Sequence, residues 1–252
     1  MPKKLQFLTL SLSVTFALGL LNKLAPSIQP WGIIAISLIA YFVSAYLLRY
    51  DLTGIEFITL LALPSFFTFA VGSVLYYFPN FSFAFRALIL FLFGLSFYLT
   101  LLSENIFNVG RDRPIPLLKA AGTVSFLLTL FTAFLLFTVL YKTGFPVFVQ
   151  CLLVGIISFI LAFQSLWTLV LGHVWDRQVI LGSLILALAE LELTIGISFL
   201  PFESFFRALA LSTGFYVFLG TAYNYQRKTL KNRIFIEYAV VAAIVIFLLV
   251  KI

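Results

Sequence analysis

The sequence has very few of the residues that build metal sites and disulfide frameworks. Its 252 residues include one cysteine, one methionine and one histidine. Disulfide frameworks, thiolate metal sites and iron–sulfur clusters each need several cysteines, and a histidine metal cage needs several histidines. These classes are excluded, and we therefore expect neither a metal ion nor another cofactor.

Charged residues are equally scarce, at 10% of the chain, whereas 63% of the residues are hydrophobic. Soluble domains carry about 25% charged and about 45–50% apolar residues. So few charges do not cover a globular surface, which means that lipid must be the solvent for most of the chain. The apolar runs are continuous rather than alternating, and this pattern favours helices over a β-barrel. The sequence predicts an all-α integral membrane protein whose residues 1–252 form a single membrane domain.

Nine segments are long enough to cross a bilayer as helices, which takes about 20 apolar residues at a rise of 1.5 Å each. The predicted spans are Leu5–Leu21, Trp31–Leu48, Ile55–Phe78, Ala84–Leu102, Leu117–Tyr141, Val147–Leu171, Val179–Leu200, Phe205–Tyr223 and Ile234–Val250.

The lysines and arginines predict how these spans are oriented. If the N-terminus is cytoplasmic, most of the 16 basic residues fall on the cytoplasmic side, as the positive-inside rule requires. The net charge of +7 then reflects basic loops over anionic lipid headgroups rather than nucleic-acid binding. We expect a multi-pass protein of the cell membrane, in a prokaryotic inner membrane, whose partners are these lipids and either another membrane protein or further copies of the chain.

A short repeat indicates an internal duplication. Phe85–Leu88, at the start of span 4, recurs as Phe206–Leu209 at the start of span 8, and a proline precedes each copy. Spans 2–5 (31–141) and spans 6–9 (147–250) are therefore predicted to be parallel copies of a four-helix unit, with an additional first span in residues 1–24. Repeat-built membrane proteins place their sites between the halves, so we expect a site there.

Two glutamates, Glu190 and Glu192, lie inside predicted span 7. Glu190 is about 15 Å from the outer end of that span, close to the midplane of the bilayer. Residues two apart on a helix point about 200° from each other, so the two acids do not form a pair on one face. One is expected to face the bundle interior, and the other a neighbouring helix or a partner subunit.

Arg207 offers a structural reason for one of these acids, because its side chain could reach from the outer end of span 8 towards Glu192. Glu203, one turn before Arg207, competes for the same guanidinium. The acids then form either a buried ion pair that pins spans 7 and 8, or, at Glu190, a proton or cation site. Gln150 and Gln164, on one face of span 6, either line a polar cavity or bond to neighbouring helices.

The predicted cytoplasmic rim is the most polar region. Glu104 and Asn108 share a face if span 4 continues inward by a turn. The residues of the rim together form either a pocket for a phosphate-bearing headgroup or a basic surface that fixes the orientation of the protein in the membrane. The candidates at the rim are Asp51, Glu104, Asn105, Asn108, Arg111, Asp112, Arg113 and Asp176.

Nine spans, with Asp51 after span 2 and Asp176 after span 6, resemble the architecture of the intramembrane prenyltransferase superfamily. That family binds a prenyl diphosphate through Mg²⁺ held by two Asp-rich motifs in those loops. The Asp-x-x-x-Asp spacing is absent from both loops here, so the resemblance covers span count and loop placement and assigns no catalytic residue.

Three functions stay open from the sequence. The first is a carrier or permease for a small or amphipathic molecule, based on the duplication and Glu190. The second is a non-catalytic membrane assembly or scaffold subunit, which the Phe-rich spans and short loops fit equally well. The third, which is less favoured, is an enzyme acting on a lipid or polyprenyl phosphate at the cytoplasmic face. The sequence leans towards a protein that is not an enzyme.

Overall fold

The computed structural model describes residues 2–49, 56–110, 116–172 and 175–251, and in these ranges the regular structure is helical. Nine helices there are long and apolar enough to cross a membrane, which confirms the predicted nine-span all-α protein. The helices are α1 Lys3–Leu21, α2 Gln29–Leu48, α3 Glu56–Tyr77, α4 Phe83–Gly110, α5 Leu118–Lys142, α6 Val147–Val170, α7 Arg177–Ser198, α8 Ser204–Gln226 and α9 Asn232–Val250.

The C-terminal end of α4 is where the structure departs most from the predicted spans. The helix continues to Gly110, about two turns beyond the predicted end at Leu102. Glu104 and Asn108 are both buried on it, and the Asn108 Nδ2 donates to the Leu48 carbonyl of α2 at 3.1 Å. This polar stretch reads as a loop in the sequence, but packing against α2 keeps it helical.

The chain packs as two compact units. Unit 1 comprises Met1–Thr132 with Leu171–Val174, and unit 2 comprises Ala133–Val170 with Trp175–Ile252. Helix α5 contributes its first part to unit 1 and its last part to unit 2. The predicted duplication into residues 31–141 and 147–250 stays a prediction.

In unit 1, α1 packs against α4, and α2 packs against α3. The Ser11 hydroxyl donates to the Gly94 carbonyl at 2.6 Å, so a hydrogen bond joins α1 to α4. A cluster of aromatic rings forms the core, with Phe67 5.2 Å from Phe93 and Phe93 5.5 Å from Phe97 between ring centroids. All three phenylalanines are almost completely buried.

Helix α3 is continuous through Pro64, which lacks the N–H that an α-helix uses one turn back. The Ser65 hydroxyl lies 3.0 Å from both the Leu61 and Ala62 carbonyls, and Thr68 donates to the Pro64 carbonyl at 2.8 Å. Each hydroxyl finds its acceptor on its own helix, so neither needs water in the hydrocarbon region.

In unit 2, α6 and α7 form the most extensively packed helix pair. Gly155 of α6 lies against the Ala187 carbonyl of α7, and Ser158 and Ser183 are fully buried. Small residues let two helix backbones approach closely in a membrane. The contact fixes α7, which carries both glutamates of interest.

The two arginines of the predicted repeat make the same local contact. The Arg86 Nη2 donates to the Pro79 carbonyl, and the Arg207 Nη2 donates to the Leu200 carbonyl, in each case 7 residues upstream. Each guanidinium thereby satisfies a carbonyl at the turn before its own helix.

Candidate functional site

Glu190 is the side chain around which a candidate site can be built. It lies on α7, about 12 Å from the end of the helix at Ser198 by helical rise, and is 0% exposed. Neither carboxyl oxygen has a hydrogen-bond partner within the described residues. A buried ionised carboxylate is costly unless it is paired, so this group requires a proton or a cationic partner.

Gly214 of α8 provides the space that the Glu190 carboxyl occupies. A Cβ atom at this glycine would lie 2.9 Å from the Glu190 Oε1. Any larger residue at position 214 would therefore push the carboxyl aside. This close approach of helix and side chain explains why a glycine stands here in α8.

Tyr141 and Thr194 complete the polar surroundings of Glu190. The Thr194 hydroxyl, one turn along α7, donates to the backbone carbonyl of Glu190 at 2.8 Å. The Tyr141 hydroxyl, at the end of α5, lies beside Thr194 and within electrostatic range of the Glu190 carboxyl and of Cys151 on α6. We call Tyr141, Cys151, Glu190, Thr194 and Gly214 the Glu190 cluster; all five lie in unit 2.

Arg207 does not form the ion pair that the sequence made plausible. Among the described residues it pairs with neither Glu192 nor Glu203, and its Nη2 donates to the Leu200 carbonyl at 3.1 Å. Its guanidinium carbon lies 5.9 Å from the centre of the Tyr141 ring. Arg207 therefore lies at the edge of the Glu190 cluster, beside Tyr141. Its hydrogen-bond acceptor is a backbone carbonyl of the preceding turn rather than an acidic side chain.

Glu192 lies on the opposite face of α7 and is exposed. The two-residue spacing predicts this separation, and the structure assigns Glu190 to the inside and Glu192 to the outside. Exposed apolar side chains surround Glu192 on the same face, including Ile185, Leu188 and Phe199. A carboxyl in such a stripe is unusual at the surface of a spanning helix.

The two glutamines of α6 do not belong to one site. Gln150 and Gln164 are both buried, but they are about 21 Å apart by helical rise. The Gln150 Nε2 donates to the Phe145 carbonyl at 2.8 Å, near the start of its own helix. Gln150 is adjacent to Cys151 in the chain, whereas Gln164 lies towards the other end of α6.

The rim candidates fall into two groups. Asp51, Arg111, Asp112 and Arg113 lie outside the described residues. The other four are described, and Glu104 and Asn108 are buried on α4. Asn105 accepts through its Oδ1 from the Lys3 Nζ at 3.5 Å. Asp176 caps α7 by accepting from the backbone N–H groups of Gln178 and Val179.

Asp176 therefore has a structural role as a helix cap. Within the described part of the chain, no group of three or more His, Cys, Asp or Glu side chains is placed to hold a metal ion.

Sequence reasoning missed Tyr141 and Gly214. From the sequence, Tyr141 is interpreted as an interfacial aromatic residue at the end of a span. Gly214 is one of 14 glycines, and the sequence does not distinguish it from the others. The periodicity of α5 and α8 does not reveal that both approach Glu190. The sequence offered one indirect indication of such neighbours, namely the position of Glu190 deep within its span. A carboxyl at that depth requires the neighbouring helices to leave room for it.

Replacing Glu190 with methionine tests whether the buried acid costs stability. We expect the Glu190→Met variant, purified in detergent, to be more stable by about 1–3 kcal/mol, because an apolar side chain removes a buried polar group without partners. The measurement is the midpoint of thermal unfolding. Glu192→Met, on the exposed face, is the matched control and should change little. A marked loss of stability in Glu190→Met would contradict this account, since it would identify a structural ion pair.

Comparison with known proteins connects the chain to one family. The model of the family described as "Protein of unknown function (DUF5656)" matches residues 33–252, which include the whole Glu190 cluster. No curated protein and no solved structure matches the chain. Since the match extends over most of its length, this nine-span membrane protein belongs to the DUF5656 family.

Proposed function

We propose that the protein is a carrier for a small or amphipathic molecule, in which Glu190 binds a proton or another cation. The observation that supports this proposal is the Glu190 carboxyl itself, which is 0% exposed and has no hydrogen-bond partner for either oxygen among the described residues. The proposed location is the cell membrane of a prokaryote, in contact with anionic lipids at the cytoplasmic face.

The chemistry of the cluster suits reversible cation binding. The carboxyl supplies a charge, the Tyr141 hydroxyl lies within electrostatic range of it, and the Thr194 hydroxyl is bonded to the Glu190 backbone carbonyl. Since no basic side chain in the described residues neutralises Glu190, a proton or a cation from solution is the natural partner. A carrier cycle then alternates between this buried state and a state in which the carboxyl reaches water.

Arg207 and Tyr141 stand at the outer end of the cluster. The guanidinium carbon lies 5.9 Å from the centre of the Tyr141 ring, and its Nε is buried with no hydrogen-bond partner in the described part of the chain. An anionic or polar substrate group entering from this end would meet Arg207 before Glu190. We assign Arg207 to substrate attraction and Glu190 to cation binding.

The transport test uses reconstituted vesicles that contain a pH-sensitive dye. An imposed pH gradient is applied, and a panel of amino acids, amines and sugars is added one compound at a time. We expect at least one compound to accelerate proton entry with the wild-type protein and to lose that effect, by tenfold or more, in Glu190→Gln.

Glu192→Gln is the matched control, because it removes an equal charge from the opposite face of the same helix. Its coupled proton entry should equal that of the wild-type protein. Coupled flux that persists unchanged in Glu190→Gln would remove Glu190 from the mechanism.

A second function, membrane assembly, is supported by Glu192. This exposed carboxyl lies in an apolar stripe of α7, beside Gly196, around whose Cβ position there is open space. Such a face allows the close approach of a helix that offers a hydrogen-bonding group to the acid. The partner is either another membrane protein or a second copy of the chain.

The assembly function predicts a different pattern in the same two variants. After mild solubilisation, Glu192→Gln should lose a partner chain or change its oligomeric state, while Glu190→Gln should retain both. Mass measurement of the protein–detergent complex by light scattering gives the readout. A wild-type protein that is monomeric and free of other chains would contradict the assembly function.

A further inference from the structure

A groove between α7 and α8 of unit 2 lies apart from the Glu190 cluster. Its volume is about 520 Å³, and its lining includes Gln178, Gly182, Ile185, Phe218 and Gln226. The groove extends along α7 from Gln178 to Ala189, about 16 Å by helical rise. The hydrocarbon core of a bilayer is about 30 Å thick, so this length matches a single leaflet.

The walls of the groove change from apolar to polar along its length. Ile185 and Phe218 line the part that lies deeper along the two helices, whereas Gln178 and Gln226 lie at the end where α7 begins and α8 stops. Within the described residues, the Gln226 Oε1 is buried without a hydrogen-bond partner. A Cβ atom at Gly182 would lie 3.3 Å from a methyl carbon of Leu166 on α6 and 4.0 Å from the Gln226 Nε2, so a larger side chain there would crowd both α6 and the polar end of the groove.

Three basic residues lie next to the polar end in the chain, adjacent to the lining residues Gln178 and Gln226, although none of the three lines the groove itself. Arg177 begins α7, Arg227 and Lys228 follow α8, and all three are exposed. The Arg227 guanidinium is held over the Tyr223 ring, 4.5 Å from its centre. The acid closest in the chain to Arg177 is Asp176, which the first N–H groups of α7 already occupy. The acid closest to Arg227 and Lys228 is Glu237, which is paired with Arg233 at 3.2 Å.

We propose that this groove binds one membrane lipid with an anionic phosphate headgroup, taken from the leaflet on the basic side. One acyl chain fills the apolar part, the two glutamine amides meet the glycerol and ester region, and Arg177, Arg227 and Lys228 hold the headgroup. The charge complementarity and the one-leaflet length select this occupant over a protein helix, which would extend across both leaflets. By the positive-inside rule this is the cytoplasmic leaflet.

The experiment is native mass spectrometry of the full chain released from detergent that contains phosphatidylglycerol or phosphatidylcholine with the same acyl chains. We expect the wild-type protein to retain phosphatidylglycerol preferentially. Arg227→Gln should lower that preference about fivefold, since each basic residue near a membrane surface has an effect of this size. Gly182→Leu and Ile185→Trp, which fill the groove at different points, should each leave one bound lipid fewer.

One control variant separates the proposed headgroup contact from general surface effects. Arg233→Gln removes a base near the same end, one that is already paired with Glu237 at 3.2 Å. It should bind phosphatidylglycerol as the wild-type protein does. Equal loss in Arg233→Gln, full lipid retention in both groove-filling variants, or the absence of any headgroup preference would overturn the proposal.

The lipid proposal and the carrier proposal are tested independently. The groove variants alter neither Glu190 nor its neighbours Tyr141, Thr194 and Gly214, and the lipid readout does not depend on transport. Loss of lipid in Gly182→Leu with coupled flux unchanged would establish the groove as a separate lipid site.

Discussion

Water is excluded from the hydrocarbon region of a bilayer, so each polar group of a spanning helix needs a partner within the protein. Hydroxyl side chains meet this requirement locally: Ser37, Thr100 and Thr132 each donate to the carbonyl one turn back. Others join helices, as Asn224 does by donating to the Tyr238 hydroxyl at 2.9 Å. The Glu190 carboxyl differs from this pattern, because it is fully buried and neither of its oxygens has a hydrogen-bond partner among the residues that the structure describes.

The same constraint explains how much of the fold the sequence predicts. Bilayer thickness fixes the length of a span, so nine helices and most of their ends follow from hydropathy alone. The C-terminal end of α4 does not, because Glu104 and Asn108 are buried by packing that local composition does not encode. The opposite faces of Glu190 and Glu192 follow from helical geometry, since two residues turn the helix by about 200°.

The candidate site was predictable only in part, because helix packing brings it together. Sequence reasoning selects Glu190 from its depth and places Arg207 near the outer end of α8. It does not find Tyr141 or Gly214, since their approach to Glu190 depends on how α5 and α8 pack against α7. It also offers Arg207 as an ion-pair partner, whereas in the structure the backbone carbonyl of Leu200, 7 residues upstream, accepts from it.

The central claim is that the region around Glu190 alternates between burial and water, and accessibility measured from each side of the membrane tests it most directly. Thr194→Cys, in a Cys151→Ser background, keeps Glu190 intact and places one thiol beside it. The measurement is the rate of labelling by a membrane-impermeant maleimide added to one side of intact vesicles and then to the other. A carrier predicts labelling from both sides, whereas Ser37→Cys, buried in unit 1, stays unlabelled in the same background. A Thr194→Cys thiol that reacts from neither side until the protein is unfolded would contradict the account.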